Sequence, residues 1–262
     1  WRLPLTDSLF RRKTTDTSTG RVLSRSGRDT SFAEGTYLVT VPAVIDDLVI
    51  VNEGFLIEAV DRYTGRLRWY REYGNSRGIM PSSYPSDLTE IVTADGEAYT
   101  VLGHSFGNDR AGDGAVIRFD PATGRERWRV RPDRLDDDPQ LEDAEVAGPP
   151  LVVGDLLVLP LRKITTRFFT IDLVLALDRV DGRFRWLRTI ASSGSVRAAS
   201  GRPVAMLAEL DGDVIATSAA GGIARLDGRT GEVRWLRRDD VPLRLQMARG
   251  RGWEIGGAVI CD

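Results

Sequence analysis

The chain has 262 residues, 42% of them hydrophobic, and its 36 basic and 38 acidic residues give a formal net charge of −2. That length fits one large all-β domain as well as two ordinary domains, and the balanced charge supplies no global field to draw in nucleic acid or an anionic membrane. Cys261 is the only cysteine, which excludes an internal disulfide and a cysteine-built zinc cluster, and no run of about 18 apolar residues marks a membrane-crossing helix.

In chain order, residues 1–40 read as a loop-rich segment or the end of a preceding repeat unit. They show no charged, apolar, then small-residue leader, so an export signal is expected upstream of Trp1 if the protein leaves the cytosol. Residues 11–28 are basic and rich in Ser and Thr. Within them "DTSTGRVLS" (16–24) has an Asp and a Gly four residues apart, with Ser24 where later copies have tryptophan.

From residue 41 a regular pattern takes over. "PAVIDDLVIV" (42–51) reads as a strand, an acidic turn and a strand, and "LIEAV" (56–60) alternates with a period near two. "DRYTGRLRW" (61–69) follows. Its aspartate can accept hydrogen bonds from turn amides and its glycine can take a positive φ, so it predicts a tight hairpin returning into a strand that carries Trp69. The same sequence of events recurs with "LTEIVTADGEAYTV" (88–101), "VIRF" (116–119) and "DPATGRERW" (120–128). It recurs again with "PLVVGDLLVL" (150–159), "LVLAL" (173–177) and "DRVDGRFRW" (178–186), and a fourth time with "AMLAELDGDVIAT" (205–217), "GIARL" (222–226) and "DGRTGEVRW" (227–235).

Asp61, Asp120, Asp178 and Asp227 are therefore read as turn formers. Gly65, Gly124, Gly182 and Gly231 serve as their positive-φ partners. Trp69, Trp128, Trp186 and Trp235 are read as rings wedged between neighbouring sheets, because four equivalent copies suit packing and not a single reaction centre. Four-stranded units recurring roughly every 50 to 60 residues predict an all-β fold, a β-propeller of four-stranded antiparallel blades with about four blades present across 41–262. "GAVICD" (257–262) stands where the first strand of a further blade is due, so the chain is expected to be an arc of a larger propeller completed by remaining blades of the same chain.

The blade ends "LVLALDRVDGRFRW" and "GIARLDGRTGEVRW" resemble the pyrroloquinoline-quinone-like (PQQ-like) β-propeller repeat, with its A-x-D-x-x-T-G-x-x-x-W pattern. The resemblance covers about residues 42–262. It implies one of several roles: a quinoprotein dehydrogenase with PQQ and calcium, a BamB-like protein-binding lipoprotein, or a repeat domain attached to a bacterial sensor or kinase. The dehydrogenases use an adjacent Cys-Cys pair over the quinone, and a single cysteine cannot form one. No catalytic, cofactor-binding or metal-binding residue carries over to this chain.

Function on such a scaffold is expected in loops that depart from the repeat. The second and third blades lengthen the same hairpin, which should bring both extensions to one face. In the first extension His104, Asn108, Asp109, Arg110 and Asp113 offer a base or a metal ligand, though the same residues build a polar turn. In the second, Arg162, Lys163 and Arg167 flank Phe168 and Phe169, a cation-plus-aromatic mixture common at protein interfaces. The acidic stretch 131–150 reads as a solvated connection. The expected role is a non-catalytic scaffold for a protein partner or an envelope component, without cofactor and outside the cytoplasm. The alternatives are part of a quinoprotein dehydrogenase and a sensor domain fused to a signalling enzyme.

Overall fold

The computed structural model describes residues 40–52, 56–73, 89–102, 105–106, 109–110, 114–135, 138–164, 169–194, 205–218 and 222–238. Four antiparallel sheets follow one another along the chain, and they are the expected blades. Blade one contains β2 (Ala43–Ile45), β3 (Leu48–Asn52), β4 (Leu56–Asp61) and β5 (Leu67–Glu72), preceded by the two-residue β1 (Thr40–Val41). Blade two contains β6 (Thr89–Ala94), β7 (Glu97–Val101), β10 (Val116–Asp120) and β11 (Arg125–Val130), with the small hairpin β8 (Ser105–Phe106) and β9 (Asp109–Arg110) between β7 and β10. β1 does not join its own blade. It pairs in parallel with β6, Thr40 opposite Thr89.

Blade three contains β12 (Ala144–Val146) and β13 (Leu151–Val153), both paired with β14 (Leu156–Ile164), then β15 (Phe169–Asp178) and β16 (Phe184–Gly194). β12 and β13 form one inner strand interrupted at Ala147–Pro150, a break set by two prolines that lack ladder N–H groups. Blade four contains β17 (Leu207–Leu210), β18 (Asp213–Thr217), β19 (Gly222–Leu226) and β20 (Val233–Arg238).

The strands alternate their faces between neighbours. In β15, Leu173, Leu175 and Leu177 pack toward blade two with Tyr99, Val101 and Val116, whereas Val174 and Ala176 pack toward blade four with Val214, Ala216, Ala224 and Leu226. A third cluster joins Ile50, Ile57, Ala59 and Trp69 of blade one to Ala98, Ile117 and Phe119 of blade two. Sheets buried on both faces explain why these runs are nearly continuous in apolar residues.

The Asp-x-x-x-Gly turn is built alike four times. Asp61 accepts from the Thr64 amide at 2.8 Å, Asp120 from Ala122 at 2.9 Å, Asp178 from Val180 at 2.8 Å and Asp227 from Thr230 at 2.8 Å. Gly65, Gly124, Gly182 and Gly231 close the turns with φ of 69°, 67°, 75° and 69°. In every blade the register shifts two residues before the aspartate, at Ala59/Val60, Arg118/Phe119, Ala176/Leu177 and Arg225/Leu226. Such a bulge re-aims the returning strand. It brings Trp69, Trp128, Trp186 and Trp235 to equivalent positions.

The acidic connection differs from its expected solvated form. Leu141, Ala144 and Val146 are buried in the core between blades two and three, and β12 pairs with the lengthened half of β14. The apolar residues hidden among the charges decide its path.

Candidate functional site: the blade-three arm and the joints that hold it

Each tryptophan belongs to two blades. Trp69 Nε1 donates to the Pro121 carbonyl at 2.9 Å, Trp128 to Arg179 at 3.2 Å and Trp186 to Gly228 at 3.1 Å, in every case the residue after the turn aspartate of the next blade. The rings lie on the turn glycines. A Cβ on Gly124 would stand 2.5 Å from Trp69, and one on Gly231 would stand 2.6 Å from Trp186. Arg71 and Arg188, two residues beyond their tryptophans, donate to the carbonyls of Gly124 and Gly231 at 3.2 and 2.7 Å. Trp69 and Trp186 are buried, Trp128 is half-buried, and Trp235 is 44% exposed.

The aspartates also hold the returning strands. Arg68, Arg127, Arg185 and Arg234 reach back to Asp61, Asp120, Asp178 and Asp227. The Thr64 amide and hydroxyl hold the Asp61 carboxyl below the usual range, the Arg185 guanidinium does so for Asp178, and the Thr230 amide does so for Asp227. In blades two and four an arginine faces the tryptophan, Arg118 opposite Trp128 and Arg225 opposite Trp235. Each has an acid behind it, Glu97 at 3.3 Å and Asp213 at 2.6 Å. Burial pushes the Asp213 carboxyl up, but Arg225 and Arg234 outweigh it and hold the group low.

On this frame the β14–β15 hairpin, the arm, is lengthened within the sheet between β12 and β16, and a polar cluster is buried in the lengthened part. Arg162 and Asp172 are direct register partners, and Arg162 Nε donates to Asp172 Oδ1 at 3.0 Å. Ser218, from blade four, donates its hydroxyl to Asp172 Oδ2 at 2.5 Å. All three are at least nine-tenths buried. Glu145 of β12 stands opposite Arg162 on its other side. Between blades one and two, the buried Asn52 amide donates to Thr100 Oγ1 at 2.7 Å and to the Val101 carbonyl at 2.8 Å. Lys163 Nζ ties the arm to the acidic connection through the Pro139 carbonyl at 2.6 Å. Thr189 and Gln140 join β16 to the same connection.

Of the loop residues singled out in the sequence, Arg162 is thus an internal ion-pair partner and Lys163 a strut of the arm. Asp109 and Arg110 form β9, which pairs Ser105 with Arg110. His104, Asn108, Asp113, Arg167 and Phe168 lie outside the described residues, as does the expected meeting of the two extensions. Asp172 and Ser218 escaped the sequence reading because only the β14–β15 register and the next blade bring them together. Among the described residues no three His, Cys, Asp or Glu side chains gather where a metal ion would bind, and no helix is long and apolar enough to cross a membrane.

Residues 13–251 match the family model described as outer membrane protein assembly factor BamB. The chain belongs to this family of PQQ-like β-propellers. Solved structures with a similar fold include the quinohemoprotein alcohol dehydrogenase of Comamonas testosteroni (TM-score 0.51, 15% identity, 76% of this chain and 34% of that one). A europium-containing methanol dehydrogenase aligns with TM-score 0.51 and 15% identity over 75% of this chain and 41% of that one. BamB from Moraxella catarrhalis aligns with TM-score 0.41 and 20% identity over 76% of this chain and 47% of that one. The BamB-like chain spans less than half the length of each of these structures. No curated protein sequence matches it significantly.

Proposed function

We propose that this chain is a non-catalytic BamB-like scaffold, an arc of propeller that presents the blade-three arm to a protein partner or envelope component outside the cytoplasm. The observation that carries this reading is the cluster buried in the arm. Arg162, Asp172 and Ser218, the most reactive-looking buried side chains described, are engaged with one another in joining two blades. Their geometry fixes the lengthened β14–β15 hairpin between β12 and β16, and nothing in it activates a nucleophile. A rigid sheet carrying an extension is a good docking element, because little conformational entropy remains to be lost on binding. The match to the BamB family model supports the same assignment.

Quinoprotein chemistry is the competing reading, and it shares the fold. The chain offers no adjacent cysteine pair, since Cys261 is alone. We therefore assign no cofactor. The deciding experiment incubates the full-length protein with PQQ and calcium and records quinone absorbance after desalting, together with alcohol-dependent dye reduction. Scaffold function predicts neither signal, and stoichiometric quinone with dye reduction contradicts it.

A further inference from the structure

The net charge of −2 conceals a segregation. The turn and outer strand of each blade, residues 61–72, 120–131, 178–188 and 227–238, hold four arginines, two acids and no lysine apiece, so each segment carries a formal charge of +2 and the rest of the chain is acidic. The strands concerned, β5, β11, β16 and β20, each stand last in their sheet and so on the convex side of the arc. In every one of these segments at least three of the four arginines are exposed.

Pairing within the blades does not cancel this charge. In each blade one arginine reaches back to the turn aspartate. Arg71 and Arg188 bond instead to backbone carbonyls, which leave the guanidinium charge whole. Arg66, Arg125 and Arg229 are exposed and make no side-chain hydrogen bond or ion pair with a described residue. The basic strip is also continuous across two joints. Arg71 Nη2 donates to the Thr123 carbonyl at 2.8 Å, which sets its guanidinium beside the turn that carries Arg125, and Arg188 Nε donates to the Gly231 carbonyl at 2.7 Å on the turn that carries Arg229.

We propose that this rim binds a flexible linear polymer of phosphate groups laid along successive blades. Guanidinium groups suit that chemistry, because each can grip a phosphate through two parallel N–H donors. The shape of the rim selects among anions. A convex arc meets a flat bilayer over only part of its length, whereas a flexible chain can follow all of it. Single-stranded nucleic acid uses aromatic platforms along its track, and neither β11 nor β16 exposes an aromatic ring. The inference is independent of the scaffold reading, and its failure leaves that reading untouched.

The test is titration of the full chain with labelled long-chain inorganic polyphosphate, read by fluorescence anisotropy over a series of salt concentrations. Binding is expected, with log Kd rising linearly with log salt as counterions are released. The triple variant Arg66→Gln, Arg125→Gln, Arg229→Gln removes charge from three blades without touching a joint. It should weaken binding by roughly tenfold or more and lower the salt slope by about two to three. Arg134→Gln, exposed but outside the rim segments, should change neither. Tripolyphosphate is too short to run along successive blades and should compete only weakly. Absence of polyphosphate binding at low salt overturns the proposal, and so does a triple variant that binds like the wild type. Tripolyphosphate competing as well per phosphate as the polymer, or a preference for phosphatidylglycerol vesicles or single-stranded DNA over polyphosphate, overturns it too.

Discussion

The Trp69 ring of blade one rests on Gly124 of blade two, so close that a Cβ there would stand 2.5 Å from the ring. The contact repeats between Trp128 and Gly182 and between Trp186 and Gly231, so the motif's two most distinctive residues meet across the blade joint and not within one blade. Gly124→Ala is expected to destabilise the protein by roughly 2–4 kcal/mol, because it combines a positive φ with overpacking against a rigid ring. Gly154→Ala, also at positive φ but with open space around it, isolates the backbone effect at about 1 kcal/mol. Urea midpoints of the two variants check the difference.

The tryptophans themselves should not be equivalent. Trp186→Ala removes a ring that is 5% exposed and should cost about 3–5 kcal/mol. Trp235→Ala, at 44% exposure, should cost well under about 1 kcal/mol, as surface substitutions do. Thermal or urea unfolding of the two variants ranks them directly.

Asp172 is the second sensitive position. Asp172→Leu alone removes the carboxylate that accepts from both Arg162 Nε and the Ser218 hydroxyl at a buried position and should destabilise by roughly 3–5 kcal/mol. Adding Arg162→Met should recover much of that loss, since replacing both charges removes the desolvation penalty along with the attraction. A double-mutant cycle measured by denaturation gives the coupling.

Acid should weaken the blade turns in a defined direction. The Arg185 guanidinium depresses Asp178, and Arg225 with Arg234 depress Asp213 against the upward push of burial. Groups with folded values below their unfolded ones bind protons more readily when unfolded. Their stabilisation is therefore complete above the ordinary aspartate range and is lost as pH falls through the depressed values. Asp213→Asn should flatten the acid limb of a stability-against-pH curve relative to wild type.

Much of this fold was legible because it was written four times. Asp61, Gly65 and Trp69 recur in register, and turn chemistry plus spacing suffices to predict blades. What the spacing does not reveal is the partner of each ring, because glycine at the turn is explained locally by its φ before the neighbouring indole is seen. The arm was harder. Arg162 looks like an interface cation in the sequence, and only the β14–β15 register sets it against Asp172. Leu141, Ala144 and Val146 were masked by the acids around them, although three apolar residues at such short spacing are enough to seat a connection in a core.

Indole N–H exchange, followed by NMR with assigned tryptophan resonances, tests the central claim that these rings join successive blades. The account predicts slow exchange for Trp69, Trp128 and Trp186, whose Nε1 groups donate to carbonyls of the next blade, and rapid exchange for Trp235. Four resonances exchanging at one common rate, fast or slow, would contradict it.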